Sequence, residues 1–292
     1  MSQVVIKLVG GLGNQMFQYA AARAVAIKLG ANLKFDMSWF GTDPNRQFAL
    51  LPFNFSVQSL SNVPSSVLTR RISAPLVRRL RGVLGLTKGH TSVFEEHSFH
   101  YDSKIEHVSA PVFLEGYFQS EKYFYSVREQ IAQDFVLRSS PSSSALKILN
   151  AINQYDAICL HIRRGDYISN KAANSYHGVC SLDYYKAGLD VVVKGLDDPH
   201  CFVFSDDMPW VRDNFKTDIP KTFVDIHSVN EAHEDLRLMA ACKRFIIANS
   251  SFSWWGAWLG LRDDKIVVAP RNWFKSDKNR TTDLIPENWV QL

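Results

Sequence analysis

Apolar residues along this chain fall into two patterns. Short, nearly unbroken runs read as strands buried on both faces: Val4-Val5-Ile6-Lys7-Leu8-Val9, Pro111-Val112-Phe113-Leu114, Ala157-Ile158-Cys159-Leu160, Cys201-Phe202-Val203-Phe204, Thr222–Val224 and Phe245-Ile246-Ile247-Ala248. Between them apolar positions recur at helical spacing. Met16, Ala20, Ala24 and Ile27 predict a helix closed by Gly30 as a C-terminal cap, and Phe124, Val127, Ile131 and Phe135 predict one beginning near Glu121. Further helices are expected through Ala145–Leu149, near Leu182–Val193, at Trp210–Asn214, and from the capping box Ser228-Val229-Asn230-Glu231 through Cys242. The segment Phe252–Leu259 is apolar all round, with three tryptophans, and reads as a core helix, stacking on a sugar ring being the alternative. Strands alternating with helices predict α/β architecture with parallel sheets. From about Gly41 to Ala110 the punctuation by Ser, Pro and Asn predicts loops and short helices. The stretch Arg138-Ser139-Ser140-Pro141-Ser142-Ser143-Ser144 suits a linker, which divides the chain into domains 1–140 and 141–292.

The chemistry gathers where these strands end. The run 157–160 opens into His161-Ile162-Arg163-Arg164-Gly165-Asp166. Paired guanidiniums just beyond a strand's carboxyl end suit an anion, because each offers a planar donor fork that stays charged at any working pH. The alternative is a surface ion pair between an Arg and Asp166, and Asp166 is expected to orient Arg164. The first strand opens into Gly10-Gly11-Leu12-Gly13-Asn14-Gln15 and a helix, an anion-receptive corner with two amides, Asn14 and Gln15, at its mouth. A dinucleotide fingerprint is suggested by Gly11-x-Gly13 and by Asp36 after Leu33-Lys34-Phe35, but Met16 stands where the third glycine belongs and opposes close helix–strand packing. Asn249-Ser250-Ser251 forms a second anion site at the start of the helix at Phe252. Ser205-Asp206-Asp207 ends the strand 201–204. One of its carboxylates is read as taking a base edge or ribose hydroxyls, a guanine edge offering two adjacent N–H donors. Metal ligation is the alternative, and one of the two carboxylates is expected only to cap the helix before Trp210. Together the strand ends suggest one nucleotide held in parts.

Composition narrows the partners. The chain has 292 residues, 46% of them hydrophobic, and 33 basic against 29 acidic residues leave a net charge of +4, too mild to argue for nucleic acid. Cys159, Cys180, Cys201 and Cys242 show neither disulfide nor zinc spacing and read as buried free thiols in a reducing compartment. No run approaches the roughly 18 apolar residues of a membrane span, and no signal-peptide layout is present, so a cytoplasmic location is expected. After Pro75, an apolar stripe with Arg78, Arg79 and Arg81, preceded by Arg70 and Arg71, reads as a solvated basic helix, with weak peripheral docking at an anionic membrane as the alternative.

Five stretches, in order from residue 8 to about 274, resemble the motifs of the α-1,2-fucosyltransferases, glycosyltransferase family 11: Gly10–Gln18, Gly116-Tyr117-Phe118-Gln119, His161–Asp166, Ser205-Asp206-Asp207 and Asn249–Trp255. The resemblance implies a GT-B fold: two Rossmann-like domains with parallel sheets facing across a cleft, GDP-fucose held mainly by the second and the acceptor by the first. It implies inverting transfer of L-fucose to the 2-hydroxyl of a terminal β-galactoside without an obligatory metal or cofactor. It also implies that Arg163 holds the β-phosphate, with Arg164 beside it and His161 near the nucleoside. Residue reading and resemblance together assign donor binding to Gly11, Gly13, Asn14, Gln15, His161, Arg163, Asp206, Asn249, Ser250, Ser251 and Phe252, and catalysis to Arg163, Arg164, Asp166 and Asn14. No general base is assigned; Asp36, Glu95, Glu96 and Glu115 are the carboxylates considered. Animal members begin with a membrane anchor, and with a first strand starting at Val4 this chain is expected to be of the soluble bacterial type. The competing readings are a nicotinamide-dependent oxidoreductase, from Gly11-x-Gly13 and Asp36, and a non-catalytic glycan-binding protein, from the aromatic residues.

Overall fold

A computed structural model describes residues 2–44, 46–55, 92–165, 168, 175–226, 231–260, 264–275 and 281–292. Asp166, the basic stretch around Arg70–Arg81 and residues Ser228–Asn230 of the capping box lie outside the described residues. The chain forms two compact units, one of residues 1–48 and 55–134, the other of residues 49–54 and 135–292. Residues 49–54 join the second unit through backbone bonds, Asn54 N–H to the Val136 carbonyl at 2.8 Å and Arg138 N–H to that of Pro52 at 3.0 Å. The Ser-rich stretch 139–144 lies in this unit, where the Ser142 hydroxyl accepts from Ala145 N–H and caps a helix.

The first unit is a four-stranded sheet in the order β2-β1-β4-β3, parallel throughout: β1 Gln3–Lys7, β2 Asn32–Asp36, β3 Ser92–Glu95 and β4 Val112–Glu115. Val4 and Ile6 on one face and Val5 on the other are all buried, as a central strand covered on both faces requires. Helix α1, Leu12–Leu29, is buried along most of its circumference, and its run of alanines lets it lie close to its neighbours. It ends at Gly30, whose left-handed backbone (φ 56°) turns its N–H back to the carbonyls of Ala26 and Ile27, the cap expected from the sequence. The expected helix from Glu121 is instead two 3₁₀ turns, Glu121–Tyr123 and Tyr125–Val127, followed by α2, Arg128–Asp134. Phe124 between the turns is pulled wholly into the core beside Phe17, with φ −137°, outside helical geometry. Strand β3 sits in the stretch read as loops and short helices; it is an edge strand in which Phe94 alone is buried, too little alternation to show in the sequence.

The second unit carries a six-stranded parallel sheet in the order β10-β9-β8-β5-β6-β7. Its elements are α3 Ser143–Gln154, β5 Asp156–Ile162, α4 Leu182–Val192, β6 Pro199–Ser205, α5 Met208–Asn214, β7 Lys221–Phe223, α6 Ala232–Ala240, β8 Arg244–Ile246, α7 Ser251–Trp258, β9 Ile266–Ala269 and β10 Val290–Gln291. Numbered from β5, this is the 3-2-1-4-5-6 order of a doubly wound sheet, and its strand order reverses between β5 and β8. Ile158, Leu160 and Ile162 pack with Tyr185, Leu189, Val211 and Phe215 in one core. By alternation Cys159 and His161 face the other side of the sheet, and His161 meets Phe252 of α7 there, ring centroids 5.8 Å apart. Trp254, Trp255 and Trp258 are buried, the Trp254 indole donating to the Leu284 carbonyl at 2.9 Å, so the aromatic helix is core.

Candidate functional site

In an open parallel sheet, ligands bind outside the carboxyl ends of the strands where the order reverses, and in the second unit that place lies between the ends of β5 and β8. β5 delivers Arg163 and Arg164 there, and alternation sends their side chains to opposite partners. Arg163 Nε pairs with Asp206 Oδ2 at 3.1 Å, while Arg164 Nε pairs with Asp207 Oδ2 at 3.2 Å and its guanidinium lies 3.5 Å over the Trp210 ring centroid. Asp206 also accepts the Arg164 backbone N–H at 2.8 Å, so one carboxylate ties both ends of the Arg163 turn. A Cβ on Gly165 would come 2.5 Å from Asp206 Oδ2, which is why the position next in the chain is bare. Asp207 caps α5 through Trp210 N–H, but it does not only cap as expected, because the same carboxylate also holds Arg164; Asp206 faces Arg163. Among the described residues, no cluster of three or more His, Cys, Asp or Glu side chains is placed to hold a metal.

His161 stands two residues before Arg163 and is 3% exposed. Burial pushes its imidazole pKa down to about 4; the Asp206 charge opposes this and the Arg163 charge adds to it. His161 is therefore neutral at neutral pH, and its Nδ1 is buried without a hydrogen-bond partner among the described residues. The sign for stability follows from linkage. The unfolded chain binds a proton near the ordinary 6.5 and the folded chain only near 4, so the stability is whole above about pH 6.5 and falls as pH drops toward 4, by a few kcal/mol at most. In denaturant titrations of the wild type and His161→Gln, followed by tryptophan fluorescence, the stability difference should shift against the wild type between pH 7.5 and pH 5. A difference that does not change with pH would contradict the buried neutral imidazole.

At the end of β8 the chain turns through Asn249-Ser250-Ser251 into α7. Asn249 is buried and its side-chain nitrogen donates to the carbonyls of His177 at 2.9 Å and Trp273 at 3.2 Å, so its amide braces two neighbouring segments. Ser250 occupies the N-cap of α7 without a side-chain capping bond, and Ser251 opens the helix. The Ser253 hydroxyl bonds back to the Ala248 and Ser250 carbonyls, which holds the turn. Phe252 covers His161.

The first unit has its own reversal of order, between β1 and β4. Gly10 there has φ +77°, and a Cβ on it would lie 2.6 Å from Asn14 Nδ2. Gly11 is the N-cap of α1, and Gly13 is buried in its first turn. Gln15 is buried and donates to the Gly10 and Gln47 carbonyls, both at 2.9 Å, which assigns its side chain to the loop. Gln18 ties the two strand ends together, accepting from Val9 N–H at 3.0 Å and donating to the Gly116 carbonyl at 3.1 Å. Gln119 donates to Asn14 Oδ1 at 2.9 Å. Of the four carboxylates considered as bases, Glu95 is exposed at the end of β3 and the other three are engaged in different ways. Asp36 is fully buried and accepts from Ser38 N–H, Glu115 pairs with Lys7 at 2.9 Å, and Glu96 accepts from Tyr117 and Phe118 N–H.

The family described as Glycosyl transferase family 11 matches residues 2–292. The chain belongs to this family. An Escherichia coli protein named O-antigen biosynthesis glycosyltransferase WbnK is 34% identical over 98% of the chain and 99% of its own length. The alpha-1,2-colitosyltransferase of Escherichia coli is 32% identical over 100% and 99% respectively. Galactoside alpha-(1,2)-fucosyltransferase 2 of Hylobates lar is more distant, 24% identical over 87% of the chain and 68% of that protein. Among solved structures, fucosyltransferase NodZ from Bradyrhizobium covers 87% of the chain and 92% of its own, at 14% identity and a TM-score of 0.46.

As a family 11 glycosyltransferase, the protein has the α/β architecture of two parallel-sheet units expected for the GT-B type. Among the described residues no helix is long and apolar enough to cross a membrane. Trp210 under Arg164, the Gln18 tie and the Glu96 clamp were not foreseen from the sequence. Trp210 and Arg164 are 46 positions apart, and only the pairing of β5 with β6 brings them together. Gln18 and Gln119 belong to motif stretches, so their polar type at buried positions was the available signal; Glu96 carries none.

Proposed function

We propose that this glycosyltransferase moves L-fucose from GDP-β-L-fucose to the 2-hydroxyl of a terminal β-galactoside, with inversion and without an obligatory metal. One observation carries the reading: the Arg163 guanidinium, oriented by Asp206, stands at the carboxyl end of β5 where the strand order of the second unit reverses, beside the Asn249–Ser251 turn. As the glycosidic bond breaks, negative charge grows on the departing GDP and the sugar becomes oxocarbenium-like. Donors already fixed around the diphosphate therefore stabilise the transition state more than the bound substrate. In this reading Arg163 takes the β-phosphate, the amides and hydroxyls of Ser250 and Ser251 add donors, and neutral His161 packed on Phe252 lies toward the nucleoside. Arg164, stacked on Trp210 and paired with Asp207, secures the Arg163 turn. The second unit is the donor side and the first unit the acceptor side, with Asn14 as a substrate-facing donor of the Gly10–Asn14 turn. The named activities of the animal relatives support galactoside O2 as the acceptor position, and the O-antigen relative supports a precursor of a surface glycan.

The whole-length relative named a colitosyltransferase favours a second reading in which the donor sugar is colitose and the linkage is unchanged. The test mixes purified protein with GDP-fucose or GDP-colitose, and with lactose and type 1 and type 2 galactosides, with and without EDTA. Products are read by mass spectrometry and linkage analysis. A deoxyhexose on galactose O2 is the expected result, and product from GDP-colitose alone would select the second reading. Loss of all product on adding EDTA, restored by a divalent ion, would overturn the metal independence. Failure to bind GDP would overturn the donor assignment itself.

A further inference from the structure

In the first unit, the turn after β4 is built under constraint. Phe118 has φ +54°, the one positive value among the described non-glycine residues, and its ring is fully buried against Phe94 and Tyr123. A bulky residue held left-handed persists only where its surroundings over-determine it. Here the determinant is Glu96, just past the end of β3: one carboxylate oxygen, Oε2, accepts from Tyr117 N–H at 2.7 Å and from Phe118 N–H at 2.9 Å. Gly116 has to be glycine beneath it, since a Cβ there would fall 2.5 Å from the Glu96 Cβ and 2.9 Å from Oε2. Burial raises the Glu96 carboxyl above its usual range, and those two N–H bonds oppose the rise. The second oxygen, Oε1, is sealed from solvent, so it is not placed to take a proton from a bound hydroxyl.

The outcome of the turn is the orientation of Gln119. Gln119 Nε2 donates to Asn14 Oδ1 at 2.9 Å, which sets which end of the Asn14 amide is oxygen and leaves its nitrogen on the Gly10 side, where a Cβ would come within 2.6 Å of it. We propose that Glu96 is a positioning residue that acts through the Phe118 bend and Gln119 to aim the Asn14 amide N–H groups at a ligand oxygen, of a phosphate or a sugar hydroxyl, at the Gly10–Asn14 turn. The ligand half of this inference rests on the reading of Asn14 under Proposed function; the orientation half does not.

Two measurements separate the halves. In the isotope-labelled full chain, the Asn14 side-chain amide signals are identified by their loss in Asn14→Asp. In Glu96→Ala they should shift and lose protection from exchange, while Glu96→Gln, whose amide oxygen can still accept both N–H groups, keeps them in place. Glu96→Asp, one methylene too short to reach both, gives the milder version should the alanine variant not fold. Unmoved Asn14 signals in a folded Glu96→Ala or Glu96→Asp would overturn the proposal. In turnover, Asn14→Ala should cost about a hundredfold, as the loss of one fixed donor does, and Glu96→Ala at least about tenfold. The double variant should be no slower than Asn14→Ala alone, because contacts acting through one group do not multiply. Multiplying losses would overturn the pathway through Asn14. Unchanged turnover in Asn14→Ala, with moved signals in Glu96→Ala, would remove the ligand-facing reading of Asn14 and leave the orientation intact.

Discussion

Arg163→Ala is expected to lower turnover by about two to three orders of magnitude and to weaken GDP binding, with the fold unchanged. The magnitude is that of removing one fixed donor from a developing negative charge. Arg163 makes its ion pair through Nε, and the guanidinium carries four of its five N–H donors on its terminal nitrogens, the edge that matches two phosphate oxygens at once. Arg163→Lys keeps the charge but loses the fork, so it should recover part of the GDP affinity and little of the turnover. Calorimetric GDP binding, transfer rates and far-ultraviolet dichroism together check the prediction. Unchanged GDP affinity in a folded Arg163→Ala would remove the central assignment.

The second large effect is expected at Asp206. The sequence reading gave this carboxylate a guanine edge or ribose hydroxyls; in the structure it pairs with Arg163 and accepts the Arg164 N–H. Asp206→Ala removes both, leaving a partly buried guanidinium with its partner carboxylate gone and a backbone N–H with its acceptor gone, each a desolvation cost. A turnover loss of about ten- to a hundredfold should follow, since the guanidinium has to be reordered in every catalytic cycle. Asp206→Asn, which can still accept the N–H, should lose less. The discriminating measurement is nucleobase preference. If Asp206 serves Arg163, both variants bind GDP and ADP more weakly by a similar factor. Loss of the preference for GDP over ADP, with diphosphate affinity intact, would return Asp206 to the base edge.

Much of this site was legible in the sequence because its ingredients are local. The apolar run 157–160 predicts a buried strand, the charged residues after it predict a polar tip, and Gly10 to Gln15 before apolar residues at helical spacing predict a glycine turn at a helix start. Burial preference and turn geometry act over a few residues, so they are written in adjacent positions. The helix at Glu121 was misread for the opposite reason: its apolar spacing is helical, but Phe124 fits the core only by leaving helical geometry. β3 escaped because an edge strand with one buried residue carries almost no pattern.

By itself the sequence determined the α/β class, the family motifs and the polar tips of β5, β6 and β8, all consequences of near-neighbour order. The tertiary structure alone decided which side chains meet. Ile162 stands opposite Ser205 in the β5–β6 register, and from that register Arg163 acquires Asp206 while Arg164 acquires Asp207 and Trp210. A slip of one residue would turn each side chain to the other face, and no local feature of either segment records the pairing. The same holds for Glu96 and the Phe118 turn, 22 positions apart in the chain and joined by two hydrogen bonds that exist only because β3 lies beside β4.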